Sequence, residues 1–171
     1  AANGFGSIST CFSFSEKIDA FLKADKSSLQ LKKIMRSLYK EKYNYSEANY
    51  ELLYSKVRRS IANRSLLFLY TNFDSVHSLN RVLPTLRMLN KHHLLIVIFF
   101  ENTELHSYSN NEAKTVLDIY QQTIAKKFIL EKDIIVKELK KHGIQAIKCS
   151  PKELSLNTIN KYLEIKSSGV I

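Results

Sequence analysis

The chain has 171 residues, 44% hydrophobic and 25% charged, which is enough apolar material for one globular domain with a sizeable core. Its 4 glycines, 2 prolines and lack of low-complexity tracts exclude long flexible linkers, and its 2 cysteines are too few for a disulfide framework or a zinc site. The longest apolar runs fall far short of the roughly 20 residues that span a bilayer, and the net charge of +10 favours an acidic partner: a protein, a nucleic acid or an anionic membrane surface.

The first 62 residues predict two short strands and two helices. The segments 7–14 and 17–22 are joined tightly around Ser15 and Glu16, which predicts an antiparallel pair at the edge of a sheet. Apolar residues then recur at helical spacing from residue 27 onward, at Leu31, Ile34, Met35 and Leu38.

A second helix is predicted over residues 46–62, with Ser46 as its N-cap. Five tyrosines surround the turn between these first two helices, and they serve either as core packing or as anchors for a partner. They are Tyr39, Tyr43, Tyr45, Tyr50 and Tyr54.

From residue 46 on, helical and strand patterns alternate. The strands are 65–70, 94–100 and 144–149, and the first of them is so apolar that we expect it to lie at the centre of the sheet. Apolar residues at 3- to 4-residue spacing predict three helices after residue 65. The first covers 79–89, with Pro84 near its start, and the second covers 112–141. The third is capped by Ser150 and extends to about residue 165.

Right-handed crossovers turn this alternation into an α/β fold. We expect a doubly wound, Rossmann-like, mostly parallel sheet with helices on both faces and one antiparallel edge strand.

The known enzyme motifs are absent from the sequence. It contains no glycine-rich phosphate loop, no zinc-type spacing of cysteine and histidine, and no nucleophile-elbow serine. The adjacent His92 and His93 fall where a helix meets a strand, and consecutive strand residues point to opposite faces, so a structural role is favoured over metal binding or acid-base work. We therefore expect a protein that is not an enzyme, with a hydrolase of unrecognised site as the remaining alternative.

Polar side chains follow two of the predicted strands, in segments 71–74 and 101–104. Ligands of open α/β sheets bind beyond the carboxyl ends of strands. Oxygen atoms of Thr71, Asn72 and Asp74 could hold Mg²⁺ through water. In the alternative interpretation, Asn72 and Asp74 end the strand and cap the next helix.

Six lysines crowd the long helix and its end, which is typical of a solvated helix face. A nucleic-acid surface is the alternative, but it would interleave exposed aromatic residues, and here most aromatics fall on apolar stripes. The six are Lys126, Lys127, Lys132, Lys137, Lys140 and Lys141.

Three stretches together resemble the bacterial domain-of-unknown-function family number 58. They read RSLLFLYTNF over 64–73, NKHHLL over 90–95 and INKYLEIK over 159–166, and the resemblance extends from about residue 7 to the C-terminus. It implies a von Willebrand factor A-like domain that binds proteins as a scaffold, works with a MoxR-type AAA+ ATPase in protein assembly or maturation, and is cytoplasmic. The family also implies a parent chain attached to the inner membrane.

The sequence departs from that family at its metal-ion-dependent adhesion site. The first strand, ending in Asp-x-Ser-x-Ser, is absent, and Asn72 stands where the family carries an aspartate. The chain, residues 1–171, is thus interpreted as one domain that is incomplete at its N-terminus. Its metal-ion-dependent adhesion site is interpreted as degenerate, and no cofactor is expected other than Mg²⁺. Since a missing central strand leaves backbone groups unpaired, we expect self-association or low stability.

Overall fold

The computed structural model describes residues 9–25, 27, 29–41, 47–109 and 115–169. The chain divides into two compact units, Ala1–Ala62 and Asn63–Ile171, which are described separately below. The single domain expected over residues 1–171 stays a prediction. None of the helices in the described ranges combines the length and apolarity needed to cross a bilayer.

The first unit is built on an antiparallel hairpin, as predicted. Strand β1 (Ser9–Phe14) pairs with β2 (Ile18–Asp25), and among the described residues the two form a two-stranded sheet instead of the predicted edge of a larger one. Within the hairpin, the rings of Phe12 and Phe21 stack at a centroid distance of 4.9 Å. Helices α1 (Gln30–Lys40) and α2 (Tyr50–Ser60) follow.

Helix α2 packs through Tyr50, Leu53 and Val57, which are all buried, and the Tyr50 ring meets that of Phe14 edge-on at 5.4 Å. It begins later than predicted, because Asn49 is its N-cap: the Asn49 side chain accepts a hydrogen bond from the Leu52 N–H. Ser46, the predicted N-cap, lies outside the described residues.

Helix α1 is held on the hairpin by a polar side chain rather than by its apolar stripe. The buried Gln30 donates two hydrogen bonds of 3.0 Å from Nε2, to the carbonyl oxygens of Ser9 and Lys23. Leu31, Met35 and Leu38, which carry the helical spacing, are instead exposed. The helix is confirmed, and three of the four residues of its predicted stripe face solvent, whereas Ile34 is half-buried.

The second unit contains a three-stranded parallel sheet in the order β3-β4-β5. The strands are β3 (Leu66–Tyr70), β4 (Leu94–Phe100) and β5 (Gln145–Cys149). The prediction that the strand at 65–70 is central was wrong for the described residues: β4 is central, and β3 pairs with β4 alone. Burial follows this order, since β4 is almost fully buried from residue 95 to 99 whereas most of β3 is half-buried.

Helices flank this sheet on both faces. Ile96 and Ile98 of β4 pack with Ile165 of α6 (Leu154–Ser167). Because side chains alternate along a strand, the residues between them point to the opposite face. The crossover helices α3 (Val76–His92) and α5 (Val116–Lys141) contact each other, and they also contact β4 and β5 respectively. The mixed α/β class with a helix-flanked parallel sheet is therefore confirmed.

Three helical details differ from expectation. Pro84 lies well inside α3, and the helix continues past it. A short helix that the sequence analysis missed, α4 (Thr103–Ser109), follows β4. Helix α6 begins at Leu154 rather than next to Ser150, because the Ser150 hydroxyl is hydrogen-bonded to the Glu153 carboxylate at 2.9 Å instead of capping the helix.

Candidate functional site

An open cleft lies at the carboxyl ends of the three parallel strands. It has a volume of about 180 Å³ and is called the strand-end cleft below. Its lining comes from the ends of β3, β4 and β5 together with α4 and α5. The lining residues are Asn72, Asp74, Phe100, Glu101, Asn102, Leu105, Phe128, Ile129, Lys132 and Lys148.

Backbone hydrogen bonds beyond the strand ends hold the two loops of the cleft in place. The Thr71 N–H donates to the Ile98 carbonyl at 3.1 Å, and the Glu101 N–H donates to the Cys149 carbonyl at 3.0 Å. Phe73 is buried with its ring 5.8 Å from that of Phe99, so the loop after β3 is anchored from beneath. The cleft is therefore preformed by the sheet.

Lys132 of α5 reaches the loop after β3. Its ammonium donates to the side-chain oxygen of Asn72 and to the carbonyl oxygen of Phe73. Burial lowers the pKa of Lys132 from its ordinary value, and the carboxylates of Asp74 and Glu131 only partly offset that effect. The ammonium is therefore hydrogen-bonded to oxygens that could otherwise coordinate a metal cation.

Lys148 of β5 forms the second cationic position. Its Nζ lies 2.8 Å from a carboxylate oxygen of Glu101 and 2.6 Å from one of Asp133. Burial by itself lowers the pKa of Lys148, but hydrogen bonds and charge attraction from Asp133 and Glu101 outweigh it, and the pKa is raised. The ion pairs join the end of β4 to α5 through a strand residue between them.

The predicted magnesium ligands are only partly brought together. Asn72 and Asp74 both line the cleft, whereas Thr71 is not among the lining residues. In the alternative, Asn72 and Asp74 end the strand and cap the next helix. Its capping part was wrong, because Ser75 caps α3 and accepts from the Ser78 N–H at 3.2 Å; β3 does end just before these residues, at Tyr70. In the described ranges, no cluster of three histidine, cysteine, aspartate or glutamate side chains is placed to hold a metal ion.

Six lining residues were not predicted as part of a site: Phe100, Leu105, Phe128, Ile129, Lys132 and Lys148. The two that carry a charge are Lys132 and Lys148. Lys132 had been grouped with a solvated lysine face, and its five neighbours in that group are indeed exposed. No local signal separates it: Lys132 follows Phe128 by one helical turn, but Lys140 follows Val136 in the same way and is exposed.

The chain was compared with family models, with curated proteins and with solved structures. No match was found in any of the three. The likeness to domain-of-unknown-function family number 58 therefore remains an expectation that rests on segments 64–73, 90–95 and 159–166.

The remaining candidate residues lie outside the cleft lining. His93 is buried at the junction of α3 and β4, where its backbone N–H donates to the Leu89 carbonyl at 2.9 Å.

Both cysteines are free thiols. Burial raises the pKa of Cys149, and the carboxylates of Glu153 and Glu101 add to that effect. The Cys149 thiol is therefore less ionised than an ordinary one and a poor nucleophile.

Titration with Mg²⁺ tests whether Lys132 takes the place of a metal. We expect no rise in melting temperature for the unmodified chain or for Asp74→Ala. The double variant Asn72→Asp/Lys132→Met places a new carboxylate at position 72 near that of Asp74 and removes the ammonium. The melting temperature of this variant should therefore rise with Mg²⁺. A ligand at about 100 times its Kd adds about 2.7 kcal/mol of stability, which is several degrees.

The matched control for this titration is Asn72→Asp/Lys127→Met, which removes an exposed lysine of the same helix and leaves Lys132 in place. It should respond no more than the unmodified chain. A rise in the unmodified chain that disappears in Asp74→Ala would instead mean that a working metal site exists.

Proposed function

We propose that this chain is a non-enzymatic protein-binding domain that uses the strand-end cleft as its contact surface without a metal ion. The observation that carries the proposal is the Lys132 ammonium, which donates hydrogen bonds to the oxygens of Asn72 and Phe73 in an open cleft. The proposal includes the finer fold class, a Rossmann-like von Willebrand factor A-like domain that is N-terminally incomplete. The parallel order β3-β4-β5 and its helical crossovers support that class.

The composition of the cleft supports a protein ligand. Phe100 and Phe128 are partly exposed beside the ion pair of Glu101 and Lys148 and the ammonium of Lys132. Protein interfaces are enriched in aromatic residues, and binding energy concentrates on a few such anchors surrounded by polar groups. The two phenylalanines are the proposed anchors.

The charge arrangement supports binding over catalysis. Lys148 bonds with both Glu101 and Asp133, and Lys132 bonds with two oxygens of the loop after β3. Hydrolysis needs a base directed at a nucleophile or water, with groups that stabilise the developing charge. Here Lys148 and its two carboxylate partners are directed at one another, and Lys132 is directed at uncharged oxygens.

The proposed partner is a MoxR-type AAA+ ATPase, acting with this domain in the assembly or maturation of other proteins. This part of the proposal rests on the resemblance of segments 64–73, 90–95 and 159–166, as does the proposal of a cytoplasmic location with a parent chain attached to the inner membrane. The choice of this partner is independent of the proposal that the cleft binds a protein, because another protein could bind the same surface.

Binding to an immobilised MoxR-type ATPase tests both parts. We expect Phe128→Ala to weaken binding about tenfold or more, since an aromatic anchor is removed, and EDTA to have no effect. The control is Leu130→Ala, which removes an exposed apolar residue about 200° away around α5. Binding that EDTA abolishes, or that both variants weaken equally, would contradict a metal-independent cleft; no binding at all would remove this partner.

The proposal of an incomplete domain has support at the outer edge of β3. The Ser65 carbonyl accepts from the Leu94 N–H and the Thr71 N–H donates to Ile98, so alternate residues face β4. The backbone groups of Leu66, Phe68 and Tyr70 therefore point away from β4, and no strand in the described ranges forms a ladder with that edge.

An open strand edge pairs readily with another chain. We therefore expect the chain to self-associate at micromolar concentration, seen as dimers or larger species in sedimentation velocity. A purely monomeric protein that also unfolds cooperatively would contradict the missing-strand interpretation.

A further inference from the structure

Helix α1 presents an apolar ridge to solvent. The ridge consists of Leu31, Met35 and Leu38, whose exposed fractions are 68%, 62% and 51%. At 100° per residue these three lie within about 60° of one another around the helix. Gln30 and Ile34 lie on the adjacent side, where the Gln30 hydrogen bonds tie the helix to the hairpin. The ridge is therefore not the surface by which α1 is attached.

The same helix carries a one-sided charge. Its residues 30–40 include four exposed basic side chains, Lys32, Lys33, Arg36 and Lys40, and no acidic one. Asp25 of β2 offsets one of them, since it pairs with Lys33 at 3.0 Å. Tyr39 is 92% exposed and lies between the ridge and the basic side. Apolar ridge, interfacial tyrosine and basic flank are the elements of a helix that lies in the surface of an anionic bilayer.

The charge separates a bilayer from the other occupants of such a ridge. A second copy of α1 would place the positive charges of Lys32, Arg36 and Lys40 against the same three charges, which disfavours pairing. A protein groove could take apolar residues at this i, i+4, i+7 spacing, but it would also need an acidic rim to match the basic flank. An anionic bilayer needs no matching groove, and it attracts each lysine and arginine near its surface.

We propose that α1 docks this chain on anionic lipid bilayers, with the ridge inserted at the level of the headgroups and the basic side chains against the lipid phosphates. The inference rests on α1 alone and does not depend on the strand-end cleft. Helix α6 provides a contrast within the same chain. Its Leu156 and Leu163 are comparably exposed, but Glu164 offsets one of its two lysines, Lys161 and Lys166.

Co-sedimentation of the full chain with vesicles tests the proposal. Vesicles of phosphatidylcholine mixed with phosphatidylglycerol should bind the chain, and vesicles of phosphatidylcholine alone should not. Leu31→Gln/Met35→Gln should bind about tenfold more weakly, because apolar insertion is lost. The matched control Leu156→Gln/Leu163→Gln should stay within about twofold of the unmodified chain.

Charge variants complete the test. Lys32→Gln/Arg36→Gln should also lose about tenfold, whereas Lys126→Gln/Lys127→Gln, which removes the same charge from α5, should lose much less. Glutamine retains helix propensity, and circular dichroism of every variant should match that of the unmodified chain.

Four results would overturn the assignment to a bilayer. The first is no binding to the phosphatidylglycerol vesicles, and the second is equal loss in the α1 and α6 variants, which would mean non-specific attraction. The third is a lipid-free dimer that Leu31→Gln/Met35→Gln dissociates, which would assign the ridge to a second copy. The fourth is ridge-dependent binding of an acidic amphipathic peptide in place of vesicles.

Discussion

Replacing Phe99 by alanine is expected to lower the free energy of unfolding of the second unit by about 4 kcal/mol. Phe99 lies in the central strand β4 with no exposed surface, and its ring packs against that of Phe73. Its removal loses the transfer free energy of the ring and leaves a cavity that close-packed neighbours fill only in part. Since domains are stable by about 5–15 kcal/mol, this is a large fraction of the total.

The adjacent residue provides the control. Phe100 is 36% exposed and points to the other side of the strand, so Phe100→Ala should cost about 1 kcal/mol or less. Urea unfolding followed by circular dichroism gives both values. Equal losses in the two variants would mean that β4 is not packed as described.

Replacing Tyr50 by alanine should lower the stability of the first unit by about 3 kcal/mol. Tyr50 is 8% exposed at the start of α2, and its ring contacts Phe14 of β1. The variant removes the aromatic contact between the helix and the hairpin. Tyr39→Ala is the control, because Tyr39 is exposed and its loss should change stability by less than about 0.5 kcal/mol.

Amide hydrogen exchange of the Phe99 and Tyr50 variants also tests the single-domain prediction. If the two units open independently, Phe99→Ala should leave the protection of β1 and β2 unchanged, and Tyr50→Ala should leave that of β3 to β5 unchanged. A chain that unfolds as one cooperative domain would lose protection in both units with either variant.

Much of the fold could be predicted from local pattern. The bounds of strand β4 could be predicted because a run of seven apolar residues is typical of a buried strand and too short for most helices. Sheet order was harder: the run at β3 is equally apolar, and only the pairing shows that it has one neighbouring strand among the described residues. Similarly, the stripe of α1 indicates a helix without indicating whether another element covers that face.

The site was predictable in position but not in chemistry. The rule that ligands bind beyond strand ends led to Asn72, Asp74 and Glu101, which all line the cleft. The hydrogen bond from Lys132 to Asn72 joins residues 60 positions apart, so no local spacing could reveal it. The missing information was therefore which lysine the packing of α5 would bury.

The two sheets close chain segments of very different length, which sets an order of folding. In the hairpin, Phe14 pairs with Ile18 across a tight turn, and such hairpins form in about 1–10 μs. In the parallel sheet, Ile96 pairs with Gln145, about 50 residues later. The chain between them must therefore lose the conformational entropy of loop closure before β5 makes any contact. On the ribosome, β1 and β2 thus meet while β5 is still unsynthesised, and the parallel sheet is completed last.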